Sequence, residues 1–255
     1  MANKEKLDIT ISTGNSKIGE GTYNWSTLPG NKDNLLTAKG KILTTVCGTC
    51  SKHCEECFKS CYARRSAIRY PTALRAWERN TLALKKDPAG TFKKIDTFIT
   101  LKNKKDTKVK LFRWNVSGEI QNKEELIEIN KIAINHPETK FGVYTKNLEA
   151  LSEFLDEVGD TAPNFAVNVS EWHGYAKDII NKYKGKVNVF EYDDTNRKDC
   201  AVSDELRQHL STLKHCPAVT EKGKHAVDAN GNEITCNHCL RCYTKTGKTT
   251  AVWSH

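Results

Sequence analysis

Residues 47 to 61 read CGTCSKHCEECFKSC and place five cysteines, Cys47, Cys50, Cys54, Cys57 and Cys61, within fifteen positions. The chain holds ten cysteines in all. Four more gather near its end: Cys216, followed by Pro217, then Cys236, Cys239 and Cys242 in the spacing C-x2-C-x2-C. Thiols this close together suit a metal centre better than core packing. Zinc favours two ligand pairs with enough chain between them to wrap a tetrahedral ion. The pairs Cys47/Cys50 and Cys54/Cys57 are separated by only three residues, which would demand a very tight coil. A cubane iron–sulfur cluster is larger, and three close cysteines reach three of its corners. Cys50, Cys54 and Cys57 have the C-x3-C-x2-C spacing of a [4Fe-4S] cluster with one open iron. In the tail, a close triplet with a remote Cys-Pro completes four thiolates in the manner of ferredoxin runs. Two [4Fe-4S] clusters are the expectation, with zinc the alternative at each place. Cys200 stands alone and reads as a small buried hydrophobe. His53, His238 and His255 read as neighbours of the ligands and not as ligands.

Composition narrows the class. The 255-residue chain is 38% hydrophobic with a mean hydropathy of -0.62. Its opening, MANKEKLDITIS, has no apolar run of signal-peptide length, and no segment approaches the roughly 18 apolar residues of a membrane span. The expectation is therefore a cytoplasmic protein without membrane contact. Disulfides rarely persist in such a reducing compartment. The formal net charge of +9 favours contact with a polyanion such as nucleic acid, or stands for a lysine-rich solvated surface.

The elements that must position these thiols follow from periodicity. A helix is expected from Pro71 to Lys86, its proline in the first turn, and TFKKIDTFITLK reads as another. Beyond it strands and helices alternate: VKLFRWNVS, KEELIEINKIAINH, KFGVYTK, NLEALSEFLDEV, NFAVNVS, YAKDIINKYKG and KVNVFEYDD. Strands separated by single helices imply βαβ units and a parallel sheet. With KILTTV as a first strand this makes about five strands, hence α/β with a partial (βα)n barrel or an open parallel sheet. Residues 1–199 form the expected core. Residues 200–255 lose periodicity and read as a cysteine-rich region organised by metal.

Parallel strands covered on both faces should be almost continuously apolar. Here Arg113, Asn115 and Ser117 share a face by alternation, as do Tyr144 and Lys146, Asn168 and Ser170, and Glu191 and Asp193. Polar side chains recurring near strand C-terminal ends point to a ligand pocket at that edge.

Two resemblances extend this reading. The C-x3-C-x2-C loop, the run of βα units and VSGEI after a strand resemble a radical S-adenosylmethionine (SAM) enzyme core. That resemblance implies an iron–sulfur cluster with SAM on its open iron and an external electron donor. Ser117, Gly118 and Glu119 would stand for its Gly-Gly-Glu-like motif, serine replacing the first glycine, with Glu119 near the SAM amino group. Arg113, Asn115, Tyr144, Lys146, Asn168 and Ser170 would line the site. YNWSTLPG, CYA at 61–63, NVSGEI, YTK, CPA and CNHCLRC are similar to the phage-encoded gene product 88-like family. That pattern implies Cys47, Cys57 and Cys61 as front ligands, so the ligand set stays open. A non-catalytic metal-binding protein whose basic surface contacts nucleic acid or a host protein is the second expectation.

Overall fold

The computed structural model describes residues 9–14, 21–31, 36–50, 57, 61–105, 108–172, 174–195, 202–218, 220 and 226–253. Cys54, Cys200, His53 and His255 lie outside them. Strands β1 (Ser12–Thr13) and β2 (Thr22–Trp25) come first, followed by a small hairpin of β3 (Thr37–Ala38) and β4 (Lys41–Ile42). Helices α1 (Tyr62–Arg69), α2 (Pro71–Lys86) and α3 (Pro88–Asn103) lead to β5 (Leu111–Trp114). The alternation then runs α4 (Lys123–Asn135), β6 (Lys140–Thr145), α5 (Leu148–Val158), β7 (Phe165–Glu171), α6 (Lys177–Lys182) and β8 (Asn188–Asp193). The chain closes with α7 (Asp204–Ser211), the short α8 (Cys236–Cys239), a 3-10 turn (Arg241–Tyr243) and β9 (Thr249–Trp253).

Seven strands form one sheet in the order β1-β2-β5-β6-β7-β8-β9. Only β1 runs antiparallel to its neighbour; the other six are parallel. Each parallel strand lies beside the next one in sequence. Right-handed crossovers in a constant direction put every connecting helix on the same face. The core agrees: Phe112, Trp114, Phe141, Val143, Phe165, Val167 and Val169 pack in one cluster with Ile95 and Ile99 of α3, Leu126 and Ile129 of α4, and Leu151 and Phe154 of α5. Trp25, Phe92, Phe112, Trp114 and Phe141 meet at ring distances of 4.9 to 6.4 Å. Fully burying such a side chain contributes about 1.5–3 kcal/mol.

Helix starts obey local chemistry. Pro71 and Pro88 occupy first turns, where a missing N–H costs nothing. Asp87, Asn122, Asn147 and Ser203 accept hydrogen bonds from the first turns of α3, α4, α5 and α7.

Four expectations change. The first parallel strand is Thr22–Trp25 and not KILTTV, whose Lys41–Ile42 closes the exposed hairpin. The run FRWNVS stops being a strand at Trp114, because Asn115 takes φ 50°; Asn115 and Ser117 therefore do not continue the face of Arg113. Glu191 and Asp193 alternate with Phe190 and register with the core-facing side of β7 through Glu171, so they lie on the face opposite Asn168. The region beyond residue 200 also supplies a strand: β9 pairs in parallel with β8. No helix among the described residues is long and apolar enough to cross a membrane.

Candidate functional site

The C-terminal ends of β2 and β5 are laced together. Thr27 N donates to Ser117 O (3.0 Å), Thr49 N to Leu28 O (3.1 Å) and Cys50 N to Gly30 O (2.9 Å). Thr49 Oγ1 accepts from Glu119 N at 2.8 Å and shares a 2.8 Å hydrogen bond with Thr27 Oγ1. Gly118 sits in this knot at φ 85°, where an added Cβ would come within 1.9 Å of Thr27 Oγ1. Only glycine accepts both that backbone and that approach.

Glu119 is buried, and its carboxylate is engaged. Oε1 accepts from Ile120 N (2.9 Å) and Thr145 Oγ1 (2.7 Å), while Oε2 accepts from Lys146 N (2.9 Å). Burial pushes its pKa up, against the lowering pull of Lys146 and these donors. Asn122 caps α4, accepting from Glu125 N. Asn147 binds back to the carbonyls of Ile120 and Gln121 at 3.0 Å each. The turn after β5 is thus fastened to the end of β6.

Of the front cysteines, Cys50, Cys57 and Cys61 lie in one another's electrostatic reach. Burial raises the Cys50 thiol, with further upward pushes from Glu119, Cys61 and Cys57. Cys61 is raised chiefly by burial, with Cys57 adding and Lys146 opposing. Its Sγ also caps α1, accepting from Arg64 N at 3.4 Å. The carbonyl of Cys47 accepts from Lys85 Nζ at 2.8 Å. Cys54, which one sequence pattern includes, lies outside the described residues, so the front ligand set stays open.

The tail crosses the face that the helices leave bare. Gly142 of β6 has no side chain, and an added Cβ there would meet Cys242 O at 3.0 Å and the Tyr243 ring at 3.1 Å. Asn168 Nδ2 donates to Val143 O (3.0 Å) and Cys242 O (2.9 Å). Its registered neighbour Asn188 donates to Thr244 O (3.0 Å) and accepts from Thr246 N (2.9 Å) and Gly247 N (3.0 Å). Cys216 is fixed by its N–H to Ala251 O at 2.8 Å. Beside it, His215 pairs with buried Asp193 at 2.6 Å and stacks on Trp253 at 4.1 Å. Cys236 starts α8, where His238 makes a reciprocal cap with Thr235.

The four tail thiols feel one another. Burial lifts Cys236 to about 11, with Cys216 and Cys239 pushing the same way and Arg113 opposing. Burial lifts Cys242 to about 12, with upward pushes from Cys216 and Cys236. Cys216 is raised by burial and by Cys239. The eight described cysteines are all thiols, not disulfides. Among the described residues no three His, Cys, Asp or Glu side chains stand close enough together to hold a single metal ion.

Arg113 registers with Gly142, the residue that faces Cys242 and Tyr243 of the tail. Its guanidinium stacks on Tyr144 at 4.3 Å. Its charge is felt by Tyr62, next to Cys61, and by Cys216, Cys236 and Cys242. Lys146 lies over Trp172 at 5.7 Å. Asn115 and Ser117 are buried near the same strand end, their Oδ1 and Oγ without hydrogen-bond partners. Ser170, one step from the end of β7, is buried and registers with Phe190. Sequence reasoning passed over Thr27, Thr49, Tyr62 and Tyr243. Tyr62 donates to Val116 O, and the only trace of it was its place in CYA beside a cysteine.

A family model described as gene product 88 matches residues 8–245. No curated protein and no solved structure matches the chain.

Proposed function

The chain belongs to the gene product 88 family, a phage gene-product family, and from that premise we propose that it is an iron–sulfur enzyme of radical SAM type. One observation carries the reading. A sheet whose parallel strands follow one another in sequence brings the front thiols, the Ser117-Gly118-Glu119 turn and the tail thiols to one edge and one bare face. Consecutive parallel strands with helices on one side are also the arrangement of a partial (βα)n barrel.

The donor types, eight described thiols, suit iron–sulfur ligation in kind. Three of the front cysteines would hold the front cluster, and Cys216, Cys236, Cys239 and Cys242 the tail cluster. Buried thiols resist ionisation, and a bound cation reverses that preference. The preference for iron over zinc rests on the close C-x3-C-x2-C and C-x2-C-x2-C spacings. With SAM, such a group supplies one-electron reduction and hydrogen-atom abstraction. The chain's own contribution is placement. Three of the four lone-pair directions of Glu119 are used, leaving one on Oε2 for an ammonium. Asn168 and Asn188 hold the backbone of residues 242–247 against the sheet.

A second reading rests on charge. Lys104, Lys105, Lys108 and Lys110 are exposed between α3 and β5, at the strand edge away from the thiols. They suit a polyanion or an acidic host protein in a non-catalytic protein. Anaerobic purification separates the readings. The proposal expects brown protein with about eight irons and eight sulfides per chain, and 5′-deoxyadenosine after dithionite and SAM. Colourless protein with stoichiometric zinc refutes it.

A further inference from the structure

Among the described residues Arg113 makes no ion pair with a carboxylate. Its Nε is buried and has no hydrogen-bond partner. The groups that feel its charge most are Tyr144, Tyr62, Tyr243 and Cys236, phenols and a thiol with no carboxylate among them. Lys146, by contrast, sits beside the Glu119 carboxylate. Stacking on Tyr144 fixes the plane of the guanidinium and leaves its edge to bind in that plane. Tyr243 borders the same place, and its hydroxyl is buried and unpartnered at 3% exposure. Burying a charge without a partner is costly. Leaving a guanidinium edge and a phenol O–H both unmet is the state of a site built for an acceptor.

We propose that Arg113 and Tyr243 form a binding site for a carboxylate- or phosphate-bearing ligand, on the sheet face where the tail crosses Gly142. A planar guanidinium presents two parallel N–H donors that match two oxygens of either anion, and the Tyr243 hydroxyl supplies a third donor. Arg113 as a whole is half-buried, while its Nε and the Tyr243 hydroxyl are buried. The proposal rests on the preceding reading only in calling this ligand the substrate; the binding itself needs neither SAM nor iron chemistry.

The test uses the full chain as purified, with Arg side chains labelled with 15N, titrated with inorganic phosphate and separately with malonate. Shift of the Arg113 Nε–H resonance by either anion, with at least tenfold weaker binding in Arg113→Gln and a smaller loss in Tyr243→Phe, supports the site. The response to one anion but not the other assigns the ligand's headgroup. SAM binding is measured beside it in the same variants. An Arg113 resonance that neither anion moves overturns the proposal. So does loss of SAM binding in Arg113→Gln in parallel with anion binding, since the site would then belong to SAM. If Arg113→Gln fails to fold, Tyr243→Phe carries the same comparison, and unchanged anion affinity in it removes the phenol from the site. Absence of iron in protein that still binds the anion would sink the enzyme reading alone.

Discussion

Gly118→Ala tests the knot that joins the two halves of the front site. The residue sits at φ 85°, a left-handed conformation that costs a Cβ-bearing residue roughly 1–2 kcal/mol. The new methyl would stand 1.9 Å from Thr27 Oγ1 and 2.7 Å from Thr49 Oγ1. Both threonines are buried, at 1% and 0% exposure, so neither hydroxyl can swing into solvent. Overpacking of this kind costs about 1–3 kcal/mol. The sum is about 2–5 kcal/mol, a large share of the roughly 5–15 kcal/mol of a whole domain. Equilibrium urea unfolding measures it, with Thr27→Ala as the second arm. Removing Oγ1 abolishes the closest contact and leaves the backbone strain, so Gly118→Ala should cost at least about 1 kcal/mol less in that background. A cost below about 0.5 kcal/mol, or the same cost with and without Thr27 Oγ1, would refute the reasoning. Because Thr49 precedes Cys50 and accepts from Glu119 N, metal content after reconstitution should fall in Gly118→Ala and partly recover in the double variant.

Burial lifts the Glu125 carboxyl from 4.5 to about 7 despite hydrogen bonds from Gln121. The folded state therefore holds the proton more tightly, and its stabilisation is full below about pH 4.5 and is lost as pH rises through about 7. Relative to Glu125→Gln, the parent should lose about 3 kcal/mol over that window, at roughly 1.4 kcal/mol per unit; a difference that does not vary with pH in urea titrations would contradict this. Asn168→Ala removes the donor to Cys242 O and Val143 O and should cost about 1–3 kcal/mol. Hydrogen exchange should quicken first in residues 242–247, and uniform quickening would argue against a local clamp. Asn80 of α2 binds Thr10 N, Thr10 O and Ser26 O, so Asn80→Leu should loosen β1 from the sheet, seen as proteolysis near residue 10 while α4 and α5 stay protected.

The alternating strands and helices from residue 109 to 193 were legible because period-2 and period-3.6 apolar patterns are local properties of the chain. Pro71 and Pro88 and the capping Asp87, Asn122 and Asn147 mark helix starts for the same reason. The thiols were legible as candidates by type and spacing alone. The first parallel strand was not, because TYNW is short and its partner is β5, almost ninety residues later in sequence. Nor was β9, since TTAVW becomes a strand only where the edge of β8 offers a ladder. Alternation also failed beyond Trp114, where Asn115 turns left-handed to let its N–H reach Trp25 O.

The sequence by itself determined the α/β class, the membership that the cysteine and Ser-Gly-Glu motifs carry, and two clumps of thiols, because residue type, periodicity and short spacing need no partner. Only the tertiary structure decided that the tail lies across the bare face of the sheet, that Thr49 before Cys50 joins the Glu119 turn, and that Arg113 stands beside Gly142 and Tyr243. Those outcomes depend on strand order and register, which arise from contacts between residues far apart in the chain.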